Sequence, residues 1–301
     1  MNGANQHEFE IFFGDANNAA ARVYARVWEP PPNCVLTGQL VGPVCQYSRT
    51  LPAKIPFAAH PFAHQPGEPS SLLMEAVVPD PCFWSGEMPF LYQAQFELRQ
   101  GDDVLASGTQ PFGIRPLGVL RRRLIFEGRA WVPRAVQSNE LPELPLADWH
   151  EADVAMYVAE PTEELCSEAS RLGVVLFVEL EGDAASLPHK LRRLAKWPAA
   201  AVAVLATDER LDRSLRRFAP NLLLATYAGV AEPALAPDWA DLVVCEEASA
   251  EELALRTRAL PQPVLAMRSA GWRDDLANAR RECDLLQRDL AGRGEFAGYV
   301  V

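Results

Sequence analysis

The sequence lacks the patterns that mark several large classes of protein. No run approaches the roughly eighteen consecutive apolar residues of a membrane span, and the N-terminus lacks the basic and then apolar order of a secretory signal. It contains no phosphate-binding loop, dinucleotide fingerprint or Gly-x-Ser-x-Gly elbow. We therefore expect a soluble, cytoplasmic chain that has no membrane partner and no cofactor.

Metal-ligand spacing is also missing. The six cysteines include no Cys-x-x-Cys pair, so we expect free buried thiols, with a disulfide between Cys34 and Cys45 across a hairpin as the alternative. His60 and His64 stand four residues apart in a proline-rich stretch, where the sequence shows no third ligand for them. The sequence therefore predicts no metal site.

The charge balance excludes another class of partner. The net charge is −12, and a strongly acidic surface without a basic patch repels nucleic acid and anionic membranes. The chain has 301 residues, of which 49% are hydrophobic, and this suffices for about two globular domains with buried cores. The sequence does not indicate an oligomeric state.

The first part of the chain has the pattern of a β-sandwich. Short runs with strand-like composition are separated by proline-rich connections, and the stretch from 52 to 69 is predicted to be a loop. Gly101-Asp102-Asp103 supplies turn chemistry between the two strands of an antiparallel hairpin. The predicted strands are 9–13, 22–28, 35–40, 72–78, 90–98 and 104–112.

The second part alternates strands with helices. Its strand-like runs are short and almost wholly apolar, which is typical of strands buried on both faces of a parallel sheet. Thr162 and Ser249 are predicted helix N-caps, and an apolar stripe marks a long helix over 276–290. Eight such runs favour a (β/α)8 barrel, and a doubly wound open sheet is the competing architecture. The runs are 130–136, 152–159, 174–180, 201–206, 221–227, 241–245, 263–267 and 296–301.

Three segments between the two parts resemble glycoside hydrolase family 2. They are Trp84-Ser-Gly-Glu-Met-Pro-Phe-Leu-Tyr92, Phe112-Gly-Ile-Arg115 and the Glu127-Gly128 hairpin, in the order and spacing that the family shows. The resemblance implies an N-terminal immunoglobulin-like β-sandwich over residues 1–116. It further implies that a compact (β/α)8 TIM barrel follows over residues 117–301.

The resemblance also directs attention to the carboxyl ends of the barrel strands, where such barrels hold their chemistry. The segment that ends in Asp208-Glu209 is similar to the Asn-Glu segment of strand four, so Glu209 matches the acid/base and Asp208 replaces the sugar-gripping asparagine. Arg268 matches the nucleophile position of strand seven, and no carboxylate occurs from 261 to 272. Further candidate binding residues at strand ends are Tyr157, Glu179, Tyr227, Glu246 and Tyr299, with Trp272 as another aromatic.

A hypothesis about chemistry follows from these two positions. An arginine close to Glu209 would lower the pKa of that carboxyl, which is the wrong direction for a general acid. We therefore expect an ion pair between Glu209 and Arg268 across the barrel mouth and loss of the retaining mechanism.

Three functions remain open on the sequence. The sequence favours a family 2-like protein without the retaining reaction, which serves as a carbohydrate-binding or interaction scaffold. The second is an active glycoside hydrolase with Glu209 as acid and Glu246 or Glu247 as base. The third is an assembly module whose barrel mouth is closed by salt bridges.

Overall fold

A computed structural model describes residues 9–60, 70–141, 143–230, 236–269, 271, 273 and 275–301 of the chain. The chain divides into two compact units, Met1–Ile114 and Arg115–Val301. This division lies two residues before the boundary that the sequence suggested. The first unit contains the predicted β-sandwich, and the second contains the predicted barrel.

The first unit is a sandwich of two four-stranded sheets. One sheet has the order β1-β2-β6-β5 and the other β4-β3-β7-β8, and the pairings are antiparallel. Alternate residues of the strands point inward and form one apolar cluster that includes Val23, Leu40 and Leu98. The strands are β1 (Phe9–Ala16), β2 (Ala20–Trp28), β3 (Cys34–Val44), β4 (Ala53–Pro56), β5 (Ala58–Ala59), β6 (Ser71–Pro79), β7 (Leu91–Gln100) and β8 (Asp103–Phe112).

Two features of this unit differ from the sequence expectations. The proline-rich stretch contains the short strands β4 and β5, so its prediction as a loop was wrong there; Pro56 is the last residue of β4, where a missing amide costs least. Cys34 and Cys45 lie at opposite ends of β3 and not across a hairpin, and the cysteines are free thiols. His64 lies outside the described residues.

The second unit is a closed barrel of eight parallel strands, which excludes the open sheet. The order around the barrel follows the chain, from β12 to β19, and β19 pairs with β12. The eight predicted strands are confirmed, although residues 130 and 131 belong to the preceding hairpin. The barrel strands are β12 (Arg134–Gln137), β13 (Ala155–Ala159), β14 (Leu176–Leu180), β15 (Ala200–Leu205), β16 (Leu223–Ala228), β17 (Leu242–Glu246), β18 (Val264–Met267) and β19 (Gly298–Val300).

Helices surround the barrel less completely than the sequence pattern suggested. A 3-10 helix, Arg213–Phe218, replaces the α-helix after β15, and the described residues between β16 and β17 contain no helix. The predicted caps are confirmed: the Thr162 side chain accepts from Leu165 N and that of Ser249 from Glu252 N. The α-helices are α1 (Leu146–Ala152), α2 (Glu163–Leu172), α3 (Leu187–Ala195), α4 (Ala250–Thr257) and α5 (Leu276–Leu290).

A small antiparallel sheet closes the end of the barrel at which the strands begin. Its strands are β9 (Leu117–Leu120), β10 (Arg123–Phe126) and β11 (Arg129–Trp131). Leu124 is fully buried in the barrel core, and the Trp131 ring meets that of Phe177 edge-on with centroids 6.3 Å apart. Beside this sheet the buried Arg115 donates hydrogen bonds to the carbonyl oxygens of Pro198 and Ala200, at the start of β15. A site in this unit is therefore expected at the opposite end of the barrel, where the strands end.

Candidate functional site

Strand alternation decides which side chains reach the inside of the barrel. The apolar core contains Phe177 of β14, Val244 of β17 and Met267 of β18, so every second residue of each strand points inward. Continued to the carboxyl end, the same alternation places six polar side chains on the inward face. One of them, Gln137 of β12, is buried and donates to Glu140 at 3.5 Å, and the other five line the mouth. These residues, the mouth set, are Tyr157, Glu179, Tyr227, Glu246 and Ser269.

Three members of the mouth set form one hydrogen-bonded group. The Tyr227 hydroxyl donates to Glu246 Oε2 at 2.6 Å, and the Ser269 hydroxyl donates to Glu246 Oε1 at 2.8 Å. Tyr227 and Glu246 are half-buried and Ser269 is exposed, so solvent reaches the group. Both oxygens of this carboxylate are held in place, and the hydroxyl donors come from the two neighbouring strands.

Tyr157 and Glu179 form a second pair on adjacent strands. Tyr157 is 5% exposed, and burial raises the pKa of its phenol, with the charge and the hydrogen bond of Glu179 and the nearby Tyr227 adding to the effect. The phenol thus keeps its proton beside Glu179, which is half-buried. Because so little of the ring is exposed, Tyr157 offers a hydroxyl at the floor of the mouth and no stacking surface.

Arg268 does not enter the barrel mouth. It follows the inward Met267, so it points outward to the helix layer, where its guanidinium binds Glu247 and, at 2.9 Å, Asp289 of α5. Burial acts to lower the pKa of Arg268, but the hydrogen bonds and charges of these two carboxylates outweigh it and the pKa is raised. The interpretation of Arg268 as a residue facing the site was wrong, because it counted positions along the chain and ignored the face of the strand.

The hypothetical ion pair between Glu209 and Arg268 does not form either. Glu209 is exposed in the loop after β15 and makes no ion pair within the described part of the chain. Its neighbour Asp208 binds Arg210 at 2.7 Å and accepts from the Arg210 amide at 2.9 Å. The side-chain and backbone bonds of Arg210 lower the pKa of Asp208. Asp208 therefore orders its own loop.

Two aromatic candidates also lie elsewhere. Tyr299 precedes the inward Val300 on β19, so it faces outward, and it is 7% exposed beside Arg134. Burial raises the pKa of its phenol, an effect that Arg134 opposes. Trp272 lies outside the described residues. The sequence interpretation of Tyr299 as a binding residue was wrong for the same reason as that of Arg268.

Sequence reasoning did not identify Ser269 as a site residue. The structure supplies what the sequence pattern lacked, because Leu265 and Met267 belong to the barrel core and alternation assigns Ser269 to their face. With Ser269 as the inward residue, strand seven of the barrel, β18, ends in a hydroxyl. The carboxylates of the mouth set come from strands three and six instead.

The mouth set offers hydroxyl and carboxylate groups to a ligand. Glu246 and Glu179 accept hydrogen bonds, and the hydroxyls of Tyr227 and Ser269 both donate and accept. Within the described residues, no three His, Cys, Asp or Glu side chains are grouped as a metal would need. No described helix is long and apolar enough to cross a membrane. The polar groups at the mouth are those that can exchange hydrogen bonds with the hydroxyls of a sugar.

Comparison with known proteins finds a match in sequence over part of the chain and a match in fold over nearly all of it. Residues 54–115 match the family model of "Glycosyl hydrolases family 2". No curated protein sequence matches the chain significantly.

Solved structures resemble the whole chain. A putative β-galactosidase from Bacteroides fragilis is 13% identical with a TM-score of 0.61, and the match covers 97% of this chain and 54% of that one. Bacteroides uniformis β-glucuronidase 2, covalently bound to cyclophellitol-6-carboxylate aziridine, is 12% identical with a TM-score of 0.60 and coverages of 97% and 45%. A β-D-glucuronidase for Dictyoglomus thermophilum is 13% identical with a TM-score of 0.60 and coverages of 97% and 61%.

These likenesses differ in what they establish. The chain spans between 45% and 61% of the length of these three solved relatives, and the low identities establish the fold alone. The family model adds a match in sequence over the segment that carries two of the three motifs. The resemblance to glycoside hydrolase family 2 is therefore confirmed, in sequence over residues 54–115 and in fold over nearly the whole chain.

Proposed function

We propose that the chain is a family 2-like protein that binds carbohydrate at the mouth of its barrel and does not carry out the retaining reaction. The observation that supports this most strongly is the end of β18. The inward residue there is Ser269, and the sequence holds no carboxylate from 261 to 272. A retaining glycosidase needs a second carboxylate as nucleophile at about 5 to 5.5 Å from the first.

Binding is supported by the groups that remain at the mouth. Glu246 and Tyr227 are half-buried and already hydrogen-bonded to each other, so little side-chain freedom is lost when a sugar hydroxyl joins them. Sugar hydroxyls need such paired donors and acceptors, because a buried polar group without a partner costs about 1 to 3 kcal/mol.

An active hydrolase is the second candidate, and Glu246 is the residue that favours it. Its carboxylate faces the interior at a strand end, where catalysis occurs in such barrels. Glu247 does not serve as the base in this alternative, because its side chain is 7% exposed and bound to Arg268 outside the barrel. The pair to test is therefore Glu246 with the exposed Glu209.

Binding is tested with simple glycosides. We expect methyl β-D-glucopyranoside or methyl β-D-galactopyranoside to shift the resonances of the protein in NMR titration, and Glu246→Gln and Tyr227→Phe to weaken that binding several-fold. Glu168→Gln, which removes the same charge from an exposed site on α2, is the matched control. An absence of binding by the folded wild type would favour an assembly module with a closed mouth.

The lost nucleophile is tested with a covalent reagent. The β-glucuronidase 2 relative is covalently bound to a cyclophellitol aziridine. We expect reagents of this class, in glucose-, galactose- and glucuronate-like forms, to leave the intact mass of this chain unchanged. A stoichiometric adduct on Glu246 or Glu209 would show an active nucleophile and overturn the proposal. The cytoplasmic location and the carbohydrate partner remain predictions.

A further inference from the structure

Among the described residues, the carboxylates of the mouth set lie beside hydroxyl groups and contact no basic side chain. The described contacts of the Glu246 carboxylate are with the hydroxyls of Tyr227 and Ser269, and the Glu179 carboxylate acts on the Tyr157 phenol. Hydroxyl groups stabilise a carboxylate without cancelling its charge. The interior of the mouth therefore presents two carboxyl groups, with no basic partner among the described residues, to a ligand.

The basic side chains at this end of the barrel are engaged elsewhere. Lys190 binds Glu160 at 2.6 Å and Arg210 binds Asp208 at 2.7 Å. Arg268 and Arg273 each bind two carboxylates: Glu247 and Asp289 in the first case, Glu140 and Glu282 in the second. Each of these cations is thus matched by at least one acidic partner.

One further arginine approaches Glu246 from outside the barrel. Arg256 of α4 donates to the carbonyl oxygens of Glu246 and Gly229, and its charge acts on the outward Cys245. In the loops that follow the strands, positions 231–235, 270, 272 and 274 contain no lysine or arginine. No basic side chain of the described residues therefore contacts the carboxylates inside the mouth.

From this distribution we propose that the mouth selects glycosides that carry a protonated amine over neutral ones and rejects uronates, an inference that rests on the proposed carbohydrate binding. An ammonium group gains attraction and a charge-assisted hydrogen bond from Glu246 or Glu179. A uronate brings a third carboxylate to a mouth in which no described basic side chain contacts the carboxylates, and like charges juxtaposed at an interface are strongly unfavourable. A neutral sugar lies between these two cases.

Three probes with one scaffold separate the effects of charge and shape. Methyl β-D-glucosaminide, methyl β-D-glucoside and methyl β-D-glucuronide are titrated against the wild type at neutral pH and low salt. We expect affinity to fall in that order, by about tenfold or more between the glucosaminide and the glucuronide. This spread in affinity should shrink at high salt, because salt screens the interaction between charges. Glu246→Gln and Glu179→Gln each narrow the spread, whereas Glu168→Gln leaves it unchanged.

The outcomes distinguish this inference from the proposed function. Equal affinity for the amine and the uronate, or a preference for the uronate, overturns the charge selection while the binding proposal stands. A spread that is as wide in Glu246→Gln and Glu179→Gln as in the wild type also overturns it. Failure of all three glycosides to bind folded protein overturns the binding proposal and this inference together.

Discussion

Replacement of Arg268 by methionine separates a structural from a catalytic role for this residue. In the structure its guanidinium lies in the helix layer between Glu247 and Asp289. Arg268→Met keeps the length of the side chain and removes the cation. The Glu247 side chain, which is 7% exposed, is then left with a charge and no basic partner.

The magnitude follows from burial. Removal of one partner from a fully buried ion pair costs about 3–5 kcal/mol, and the 28% exposure of Arg268 moves the expectation toward about 2–3 kcal/mol. Asp289 is 50% exposed, so Asp289→Asn should cost less than about 1 kcal/mol. The double variant Glu247→Gln with Arg268→Met should recover much of the loss, because the only carboxylate left without its partner is the exposed Asp289.

Urea denaturation followed by tryptophan fluorescence measures the free energy of unfolding, and NMR titration measures glycoside binding in the same variants. We expect Arg268→Met to lower stability and to leave binding within about twofold of the wild type. An unchanged stability together with a loss of glycoside binding would show that Arg268 faces the mouth, and the outward assignment would then be wrong.

Three further predictions concern stability. Arg115→Met leaves the carbonyl oxygens of Pro198 and Ala200 without their donor inside the core and should cost about 3 kcal/mol in urea denaturation; a loss below about 1 kcal/mol would contradict that role. Burial raises the pKa of Tyr92 from the ordinary value of 10.0 to about 12. The neutral phenol therefore contributes fully to the free energy of unfolding below pH 10, and this contribution is lost as the pH rises toward 12. Between pH 10 and 12 the free energy of unfolding should therefore fall by about 2 kcal/mol less in Tyr92→Phe than in the wild type. An equal fall in the two proteins would refute this prediction. Ser249→Ala should cost about 1 kcal/mol through the lost cap of α4, and hydrogen exchange of the first-turn amides should accelerate.

The fold could be predicted from the sequence because its signals are local. Runs of buried apolar residues such as 200–205 predict strands covered on both faces. Residues with known cap chemistry mark the helices between them: Thr162 caps the start of α2 and Gly173 its end. Closure of the sheet could not be read from periodicity, because an open sheet needs the same runs. The family resemblance decided that point, and the pairing of β19 with β12 confirms it.

The site was harder to predict, because it depends on which face of its strand each residue occupies and not on its position along the chain alone. The apolar runs of β18 and β19 are buried on both sides, so their pattern gives no visible alternation from which to assign an inward face. A shift of one residue exchanges Arg268 for Ser269 and changes a cation into a hydroxyl. Glu179, Tyr227 and Glu246 were named because they end predicted strands, and the structure places them on the inward face; their role in binding remains a prediction.

Turnover of aryl glycosides is the most direct test of whether the mouth holds a sugar without cleaving it. Folded wild type and Glu246→Gln are incubated with p-nitrophenyl β-glucoside, β-galactoside, β-glucuronide, β-mannoside and β-glucosaminide, and release of p-nitrophenol is followed. We expect no release above the uncatalysed rate by either protein with any of the substrates. Turnover by the wild type that Glu246→Gln abolishes would contradict binding without cleavage and make Glu246 a catalytic residue.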